Sequence, residues 1–156
     1  TPALLNKCKI VDLVPSLLKN TDFDIKKDFV LYPDAGAHKK YSDKIQSKNE
    51  LIGLKKRDFK TGKISSMEVM MTGNEPWDKR VFIIDDLCSK GGTFIMAGEK
   101  LDAMGVTEVN LVVAHCEQTV FEGSLLNTDT INKIYTTNTM VRKTHKKIMS
   151  FNFNDL

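Results

Sequence analysis

The stretch that decides the fold lies near the middle of the chain: Val81-Phe82-Ile83-Ile84-Asp85-Asp86-Leu87-Cys88-Ser89-Lys90-Gly91-Gly92-Thr93. Its first four residues are apolar, which is typical of a strand covered on both faces in a parallel sheet. Because side chains alternate along a strand, Asp85 and Asp86 share a face only if the strand has ended. We therefore predict a central strand with both carboxylates at its exit.

Short apolar runs alternate with helical patterns on either side of this stretch. The alternation predicts the α/β class, with a mostly parallel twisted sheet flanked by helices. Beyond the central strand, we predict strands at 9–14, 28–32, 109–114 and 133–137, of which the last is the final parallel strand. We predict helices at 36–48 and from Thr93 to a cap at Gly105. Residues 51–59 and 64–71 are predicted to form a β-ribbon around the turn Lys60-Thr61-Gly62-Lys63.

Composition narrows the class of protein. The 156 residues, 41% hydrophobic and 28% charged, have the size and balance of one globular domain, predicted as 1–156. The net charge of +3 suits a phosphorylated small molecule but does not by itself exclude a nucleic acid. No apolar run approaches the ~20 residues that cross a bilayer, so we expect no membrane partner and a cytoplasmic protein. Cys8, Cys88 and Cys116 are widely spaced, which predicts reduced thiols.

The acids and glycines after the central strand carry the chemistry. Parallel sheets bind ligands beyond the carboxyl ends of their strands. Carboxylates there accept hydrogen bonds from vicinal hydroxyls or hold a divalent cation, and the backbone of Gly91-Gly92-Thr93 offers N–H groups to a phosphate at a helix start. The residues thus predict a ribose phosphate site. The alternative is an ordinary strand-turn-helix with solvated acids; a Walker loop is excluded because Lys90 is followed by glycine.

The same stretch resembles the PRPP-binding motif of type I phosphoribosyltransferases and PRPP synthetases (ribose-phosphate pyrophosphokinases). Other motifs of the synthetases follow along the chain in the same order as in that family. Their pyrophosphate loop resembles Tyr32-Pro33-Asp34-Ala35-Gly36-Ala37, in which Ala37 replaces the second glycine. The start of their mobile catalytic loop resembles Lys55-Lys56-Arg57-Asp58. Val113-Ala114-His115 and Thr136-Thr137-Asn138-Thr139-Met140 resemble two later strand ends. The resemblance selects the C-terminal domain of the synthetases.

This resemblance implies an enzyme that moves the β,γ-diphosphoryl group of ATP to the anomeric hydroxyl of ribose 5-phosphate, with Mg2+ as cofactor. It implies small-molecule substrates, no nucleic acid, and a homo-oligomer, either dimer or hexamer, in which this chain is the C-terminal half of a two-domain protein. The implied roles are catalytic for Lys55 and Arg57; ribose and phosphate binding for Asp85, Asp86, Ser89, Lys90, Gly91, Gly92 and Thr93; diphosphate binding for Asp34, Ala35, Gly36 and Ala37; and metal binding for Asp34, Asp85 and Asp86.

One difference from the synthetase motif leaves the identity of the acceptor substrate open. Synthetases usually have Asp-Thr where this chain has Ser89-Lys90, so a cation replaces an acid beside the 5-phosphate. A cation there favours a larger or more negative group beyond the sugar, such as that of ADP-ribose. Two other classes remain open: a phosphoribosyltransferase that uses PRPP as donor, and a non-catalytic regulator.

Overall fold

The computed structural model of the protein describes residues 12–156. Seven strands form one sheet: β1 (Phe29–Tyr32), β2 (Glu50–Arg57), β3 (Ile64–Met71), β4 (Arg80–Cys88), β5 (Glu108–Cys116), β6 (Lys133–Thr137) and β7 (Ile148–Phe151). Their order is β3-β2-β1-β4-β5-β6-β7. Only the β2–β3 pair is antiparallel among these strands. The predicted α/β class is confirmed.

Helices cover both faces of the sheet. Within residues 12–156 the α-helices are α1 (Leu13–Lys19), α2 (Ala35–Ile45) and α3 (Gly92–Ala103), with short 3-10 segments at Gln118–Glu122, Leu125–Asn127 and Phe153–Asp155. Alternate residues of β4 join the two cores: Val81 and Ile83 pack with Phe94 of α3, and Phe82 and Ile84 pack with Tyr41 of α2. A run of four apolar residues is therefore needed because both faces of β4 are buried.

The predicted strand at 9–14 is wrong where the structure describes it. Leu13 and Val14 lie in α1, while residues 9–11 fall outside the described part of the chain. The buried residues of α1 are Val14, Leu17 and Leu18, which have helical spacing. The β-branched run before Pro15 suggested a strand, but Pro15 is in the first turn of the helix, where proline is tolerated.

Two further sheet predictions need correction. β4 continues through both acids to Cys88, so Asp85 and Asp86 do not lie beyond the strand. β6 is not the last parallel strand, because Ile148–Phe151 pairs in parallel beyond it. The ribbon and the other predicted strands are present, α3 ends just before Gly105 as expected, and α2 ends at Ile45, three residues short of the prediction.

The strand order creates a crevice at one edge of the sheet. The chain passes from β1 to β2 on one side, and β4 pairs with β1 on the other. The carboxyl ends of β1 and β4 are therefore neighbours at a topological switch point, where α/β sheets bind their ligands. Asp34 follows β1 and Asp85 lies near the end of β4, so the fold brings the two predicted loops together.

Candidate active site

A cleft of about 630 Å³ opens between the β2–β3 ribbon and the start of α3. Four basic side chains and a single carboxylate, that of Asp85, line it. The lining residues are Lys55, Arg57, Gly62, Lys63, Ile64, Asp85, Leu87, Ser89, Lys90, Gly91, Gly92, Thr93, Phe94 and Met96. Most of the predicted sugar-phosphate residues and both predicted catalytic residues thus face one space with a strong excess of positive charge.

The loop from Ser89 to Thr93 is built so that the first turn of α3 stays open. Gly91 precedes the helix with a φ of 86°, and no side chain caps the helix start. A Cβ atom on Gly91 would lie 2.6 Å from Leu125, so only glycine fits this turn. The uncapped N–H groups at a helix start carry partial positive charge and are suited to an anion.

The segment after β5 supports this loop from behind. Glu117 donates its backbone N–H to the carbonyl of Cys88, at 2.8 Å. Gly123 packs so closely on Lys90 that a Cβ atom would come within 2.3 Å of the Lys90 carbonyl. The position of the Ser89–Thr93 loop therefore depends on residues 117–125 as well as on β4.

Asp85 points into the cleft from the same face of β4 as Val81 and Ile83. Its Oδ1 accepts the backbone N–H of Asp86, at 2.8 Å. Burial raises the pKa of Asp85 above its ordinary value, and the nearby negative charge of Asp34 adds to the rise, although Lys55 and Lys40 oppose it. Asp85 is therefore a half-buried carboxylate whose ionised form is incompletely compensated, which suits a group that meets hydroxyls or a cation.

Asp86 points to the opposite face of the sheet and does not line the cleft. Its Oδ2 accepts from Lys40, at 2.7 Å, and its Oδ1 accepts the hydroxyl proton of Tyr41. Both partners belong to α2, and the three side chains border a smaller groove with His115. The separation follows from the alternation of side chains along β4, which the sequence prediction had ended too early.

The predicted diphosphate loop, Asp34 to Ala37, forms the start of α2. Asp34 is the N-cap, and its Oδ1 accepts the N–H of Ala37, at 2.8 Å. Its Oδ2 lies 3.2 Å from Nζ of Lys55, which links the loop to the cleft. Burial acts to raise the pKa of Asp34, but the Ala37 amide and Lys55 outweigh it, so the pKa is lowered.

The ribbon presents basic side chains to the cleft from β2 and from the turn that precedes β3. Lys55 lies inside, with 18% of its side chain exposed, and Arg57 donates to the carbonyl of Gly62, at 3.1 Å. Lys63 also lines the cleft and was not among the predicted site residues. The sequence could have predicted that Lys63 lies near the site, because the Thr61-Gly62 turn returns the chain beside Arg57. At its base, β2 crosses close to the diphosphate loop: a Cβ atom on Gly53 would lie 2.6 Å from the Pro33 carbonyl.

The two later segments that resemble the synthetases, 113–115 and 136–140, contact each other. His115, near the end of β5, shares a 2.6 Å hydrogen bond between its Nδ1 and the Thr139 hydroxyl. Thr137 donates its hydroxyl to the carbonyl of Ala114, at 2.7 Å. These hydrogen bonds join the ends of β5 and β6, and none of the four residues lines the cleft.

Comparison with known proteins identifies the fold. No protein-family model matches the chain. Ribose-phosphate pyrophosphokinase of Sulfurisphaera tokodaii is 33% identical over 140 residues, which are 85% of this chain and 45% of that protein. The phosphoribosylpyrophosphate synthetase of Mycobacterium smegmatis superposes with a TM-score of 0.67 at 18% identity, over 92% of this chain and 46% of that chain. The chain has a PRPP synthetase-like type I phosphoribosyltransferase fold.

A purine phosphoribosyltransferase of Pyrococcus horikoshii shares this fold with a TM-score of 0.51 at 18% identity, over 87% of this chain and 80% of that chain. The expected PRPP synthetase-like fold is thus confirmed by sequence and by structure. The chain spans about half the length of the curated relatives that it matches.

The described residues also bear on the expected metal site and on membrane association. Among residues 12–156, no group of three or more His, Cys, Asp or Glu side chains is arranged to hold a metal ion. The predicted metal residues Asp34, Asp85 and Asp86 therefore do not form one cluster in the structure. No helix in the same range is long and apolar enough to span a bilayer.

Proposed function

We propose that the cleft binds a ribose 5-phosphate moiety and that the protein transfers the β,γ-diphosphoryl group of ATP to its anomeric hydroxyl. With ribose 5-phosphate as acceptor, the product is PRPP. The observation that carries the proposal is the convergence of Lys55 and Arg57 with Asp85 and the Ser89–Thr93 loop on one cleft. The name shared by the curated relatives, ribose-phosphate pyrophosphokinase, supports the same reaction.

The acceptor binds at the end of β4 in this proposal. The 5-phosphate accepts hydrogen bonds from the open first turn of α3 and from the hydroxyls of Ser89 and Thr93, and Lys90 adds positive charge. The Asp85 carboxylate accepts from vicinal ribose hydroxyls. Asp86 fixes the position of Asp85 through its backbone N–H and ties β4 to α2 through its side chain.

The diphosphoryl group lies between the ribbon and the start of α2. Transfer breaks the bond between the α,β-bridging oxygen and the β-phosphorus, and AMP departs as the anomeric oxygen bonds to that phosphorus. The proton of the anomeric hydroxyl is released to water. Such transfers depend mainly on positioning and on neutralising charge. Lys55 and Arg57 supply fixed positive charge there. The loop Asp34-Ala35-Gly36-Ala37 supplies backbone N–H groups once its own carboxylate is displaced.

The residues at the crevice fit a magnesium ion held together with substrate. Asp34 and Asp85 are close enough for the charge of one to raise the pKa of the other. A cation beside both carboxylates would relieve that repulsion. Mg2+ typically takes one or two carboxylates and completes its shell with substrate phosphates and water. The ion would neutralise phosphate charge, while Asp86 faces away from this position.

The chain supplies only part of the machinery in this proposal. Because it spans about half the length of its relatives, we propose that it is the C-terminal half of a two-domain protein. The remaining contacts to ATP then come from another half or another chain. We also propose self-association, which sedimentation of the full-length protein would measure.

The test separates binding from turnover. Titration calorimetry of this chain with ribose 5-phosphate is expected to show one site, because the acceptor residues are all present. Turnover is measured with the full-length protein, ATP, ribose 5-phosphate and Mg2+, by detecting PRPP and AMP. Lys55→Ala should abolish turnover, whereas Lys56→Ala, which alters a neighbouring exposed residue outside the cleft, should retain it. Equal activity of the two variants would refute the assignment.

A second acceptor is favoured by one observation. Lys90 faces the cleft beside the apolar side chains of Leu87, Phe94 and Met96, so the wall near the 5-phosphate is both basic and apolar. A 5-diphosphate joined to a second ring, as in ADP-ribose, would use both properties. The names of the relatives do not support this acceptor. Mass spectrometry of products formed from ATP with ribose 5-phosphate or with ADP-ribose, in parallel, distinguishes the two.

The same measurements decide between the remaining classes. A phosphoribosyltransferase would consume PRPP with a base and release diphosphate without ATP. A regulator would bind ribose 5-phosphate but show no turnover with any donor, and Lys55→Ala would then have no catalytic effect. The cationic ribbon facing the sugar site favours diphosphoryl transfer over both.

A further inference from the structure

Two cysteines lie side by side at the base of the Ser89–Thr93 loop. Cys88 ends β4 and Cys116 ends β5, and they are paired in the parallel register of the two strands. Both are fully buried, in the same core cluster as Phe94 and Leu125. Their thiols therefore occupy one face of the sheet at adjacent strand ends.

The register brings these residues within reach of a disulfide. Neighbouring strands lie about 4.8 Å apart, and disulfides join Cα atoms about 4.4–6.8 Å apart. In the structure both thiols are free. Cys88 Sγ lies 3.6 Å from the Ser89 carbonyl and Cys116 Sγ lies 3.9 Å from the Glu117 carbonyl. A bond between them requires Cβ atoms about 3.8 Å apart, which is closer than the usual strand spacing, so the two cysteines and the residues next to them must shift by roughly 1 Å.

Such a shift acts directly on the Ser89–Thr93 loop. Ser89 follows Cys88, and the carbonyl of Cys88 already accepts the Glu117 N–H. Beyond this bond, Gly123 and Leu125 pack against Lys90 and Gly91 with no room for a further carbon atom. The loop cannot move relative to the segment after β5 without changing these contacts, so a bond at its base alters the position of its N–H groups.

We propose that Cys88 and Cys116 form a redox-active dithiol, and that its oxidation to a disulfide weakens sugar-phosphate binding at the loop. The oxidant is a small disulfide such as oxidised glutathione. Two S–H bonds break and one S–S bond forms, while the oxidant takes up two electrons and two protons to give two thiols. The effect on binding rests on the proposed function, but formation of the disulfide does not.

The disulfide is tested by peptide mapping of the full chain. The protein is incubated with oxidised glutathione, free thiols are blocked, and the denatured protein is digested with trypsin. Cys88 lies in peptide 81–90, Cys116 in peptide 101–133 and Cys8 in peptide 8–9. The expected product is peptide 81–90 linked to peptide 101–133, in the wild type and in Cys8→Ser, and it disappears on reduction. Absence of this linkage, or its replacement by linkages to Cys8, overturns the proposal.

The effect on the site is tested with ribose 5-phosphate by calorimetry. A hydrogen bond to a charged group contributes about 1.5–3 kcal/mol, so losing one N–H contact to the phosphate should make the oxidised protein bind at least about tenfold more weakly, with recovery on reduction. Cys88→Ala and Cys116→Ala should bind equally before and after oxidation. Undiminished affinity of the mapped, oxidised protein overturns the effect on binding. If the reduced protein fails to bind, the proposed function fails, while the mapping still decides the disulfide.

Discussion

Helices α2 and α3 both start at the carboxyl edge of the same sheet, but their first turns are satisfied differently. α2 is capped by its own Asp34, whose carboxylate also pairs with Lys55. α3 starts after Gly91 and has no side-chain cap. An uncapped start is ready for an external anion, whereas a capped one already holds a negative group.

The difference suggests an order of events for the proposed reaction. The site at α3 is preformed, so the acceptor phosphate binds without rearrangement. The site at α2 is closed by an internal carboxylate that occupies both the Ala37 N–H and Lys55. A diphosphate, or a cation that draws Asp34 away, has to displace these contacts first. Four substitutions test this contrast.

Gly91→Val should have the largest effect, because it destroys the open start of α3. A left-handed φ costs an L-residue about 1–2 kcal/mol, and the clash with Leu125 adds about 1–3 kcal/mol. We expect the free energy of unfolding to fall by about 3 kcal/mol, with loss of ribose 5-phosphate binding. Gly92→Ala is the matched control, since a Cβ atom there meets no atom within 4 Å. Equal losses in urea unfolding would contradict this account of the loop.

Asp85→Asn should weaken ribose 5-phosphate binding by roughly 10- to 100-fold, because a hydrogen bond to a charged group contributes about 1.5–3 kcal/mol. Stability should change in the opposite direction. Burial and the charge of Asp34 raise the pKa of Asp85, so the native state binds its proton more tightly than the unfolded state. Ionised Asp85 therefore destabilises the fold at neutral pH, and the Asn variant should be more stable there.

That advantage of Asp85→Asn should begin to shrink as the pH falls through the raised pKa of native Asp85, and it should vanish only below the ordinary aspartate pKa, where the carboxyl is protonated in the unfolded chain as well. Urea unfolding at neutral and acidic pH measures both limits. A variant that is less stable than the wild type at neutral pH would show that the Asp85 charge is compensated in the fold.

Asp34→Ala should destabilise the protein by about 1 kcal/mol at neutral pH, the usual cost of losing an N-cap. The pKa of Asp34 is lowered in the fold, so its contribution is present at neutral pH and is lost as the pH falls through that lowered pKa. Asp43→Ala, which removes an exposed acid of the same helix, is the control. A pH-independent difference between wild type and Asp34→Ala would argue against capping by the ionised carboxylate.

Asp86→Asn should have the smallest effect. The Lys40–Asp86 pair is about half exposed, such pairs contribute about 0–1 kcal/mol, and the Asn side chain keeps an oxygen that can accept from the Tyr41 hydroxyl. Because Asp86 does not line the cleft, ribose 5-phosphate affinity should change by less than about threefold. A loss comparable to that of Asp85→Asn would place the second acid in the sugar site after all.

Local patterns predicted the elements that surround the cleft. The apolar run of β4, the ribbon around Thr61-Gly62 and the glycine-bearing start of α3 each depend on neighbouring residues, so the sequence contains their signal. That Lys55 and Asp85 line the same cleft depends on contacts between segments far apart in the sequence. It followed from the resemblance to the synthetases, because no pattern in one segment specifies the register of β1 between β2 and β4.

The errors have physical causes as well. Charged residues usually mark the end of a buried strand, but β4 continues because Asp85 pairs with Val113 and Leu87 with His115 of β5. The register therefore outweighs the low strand propensity of aspartate. β7 contains only Ile148–Phe151, with a partly exposed surface, too little apolar pattern to be recognised without its partner β6. In α1, contact of Val14, Leu17 and Leu18 with the sheet outweighs β-branched composition.

The crossing of β2 over the turn after β1 has a mechanical consequence. Gly53 touches the Pro33 carbonyl, and from there the ribbon runs outward to an exposed tip. On one side of this close contact β2 is held in the sheet, and on the other side the ribbon with Lys55 and Arg57 extends beyond it. A methyl group at position 53 would push the ribbon away from the crevice and displace Lys55 and Arg57, although no atom at that position lines the cleft.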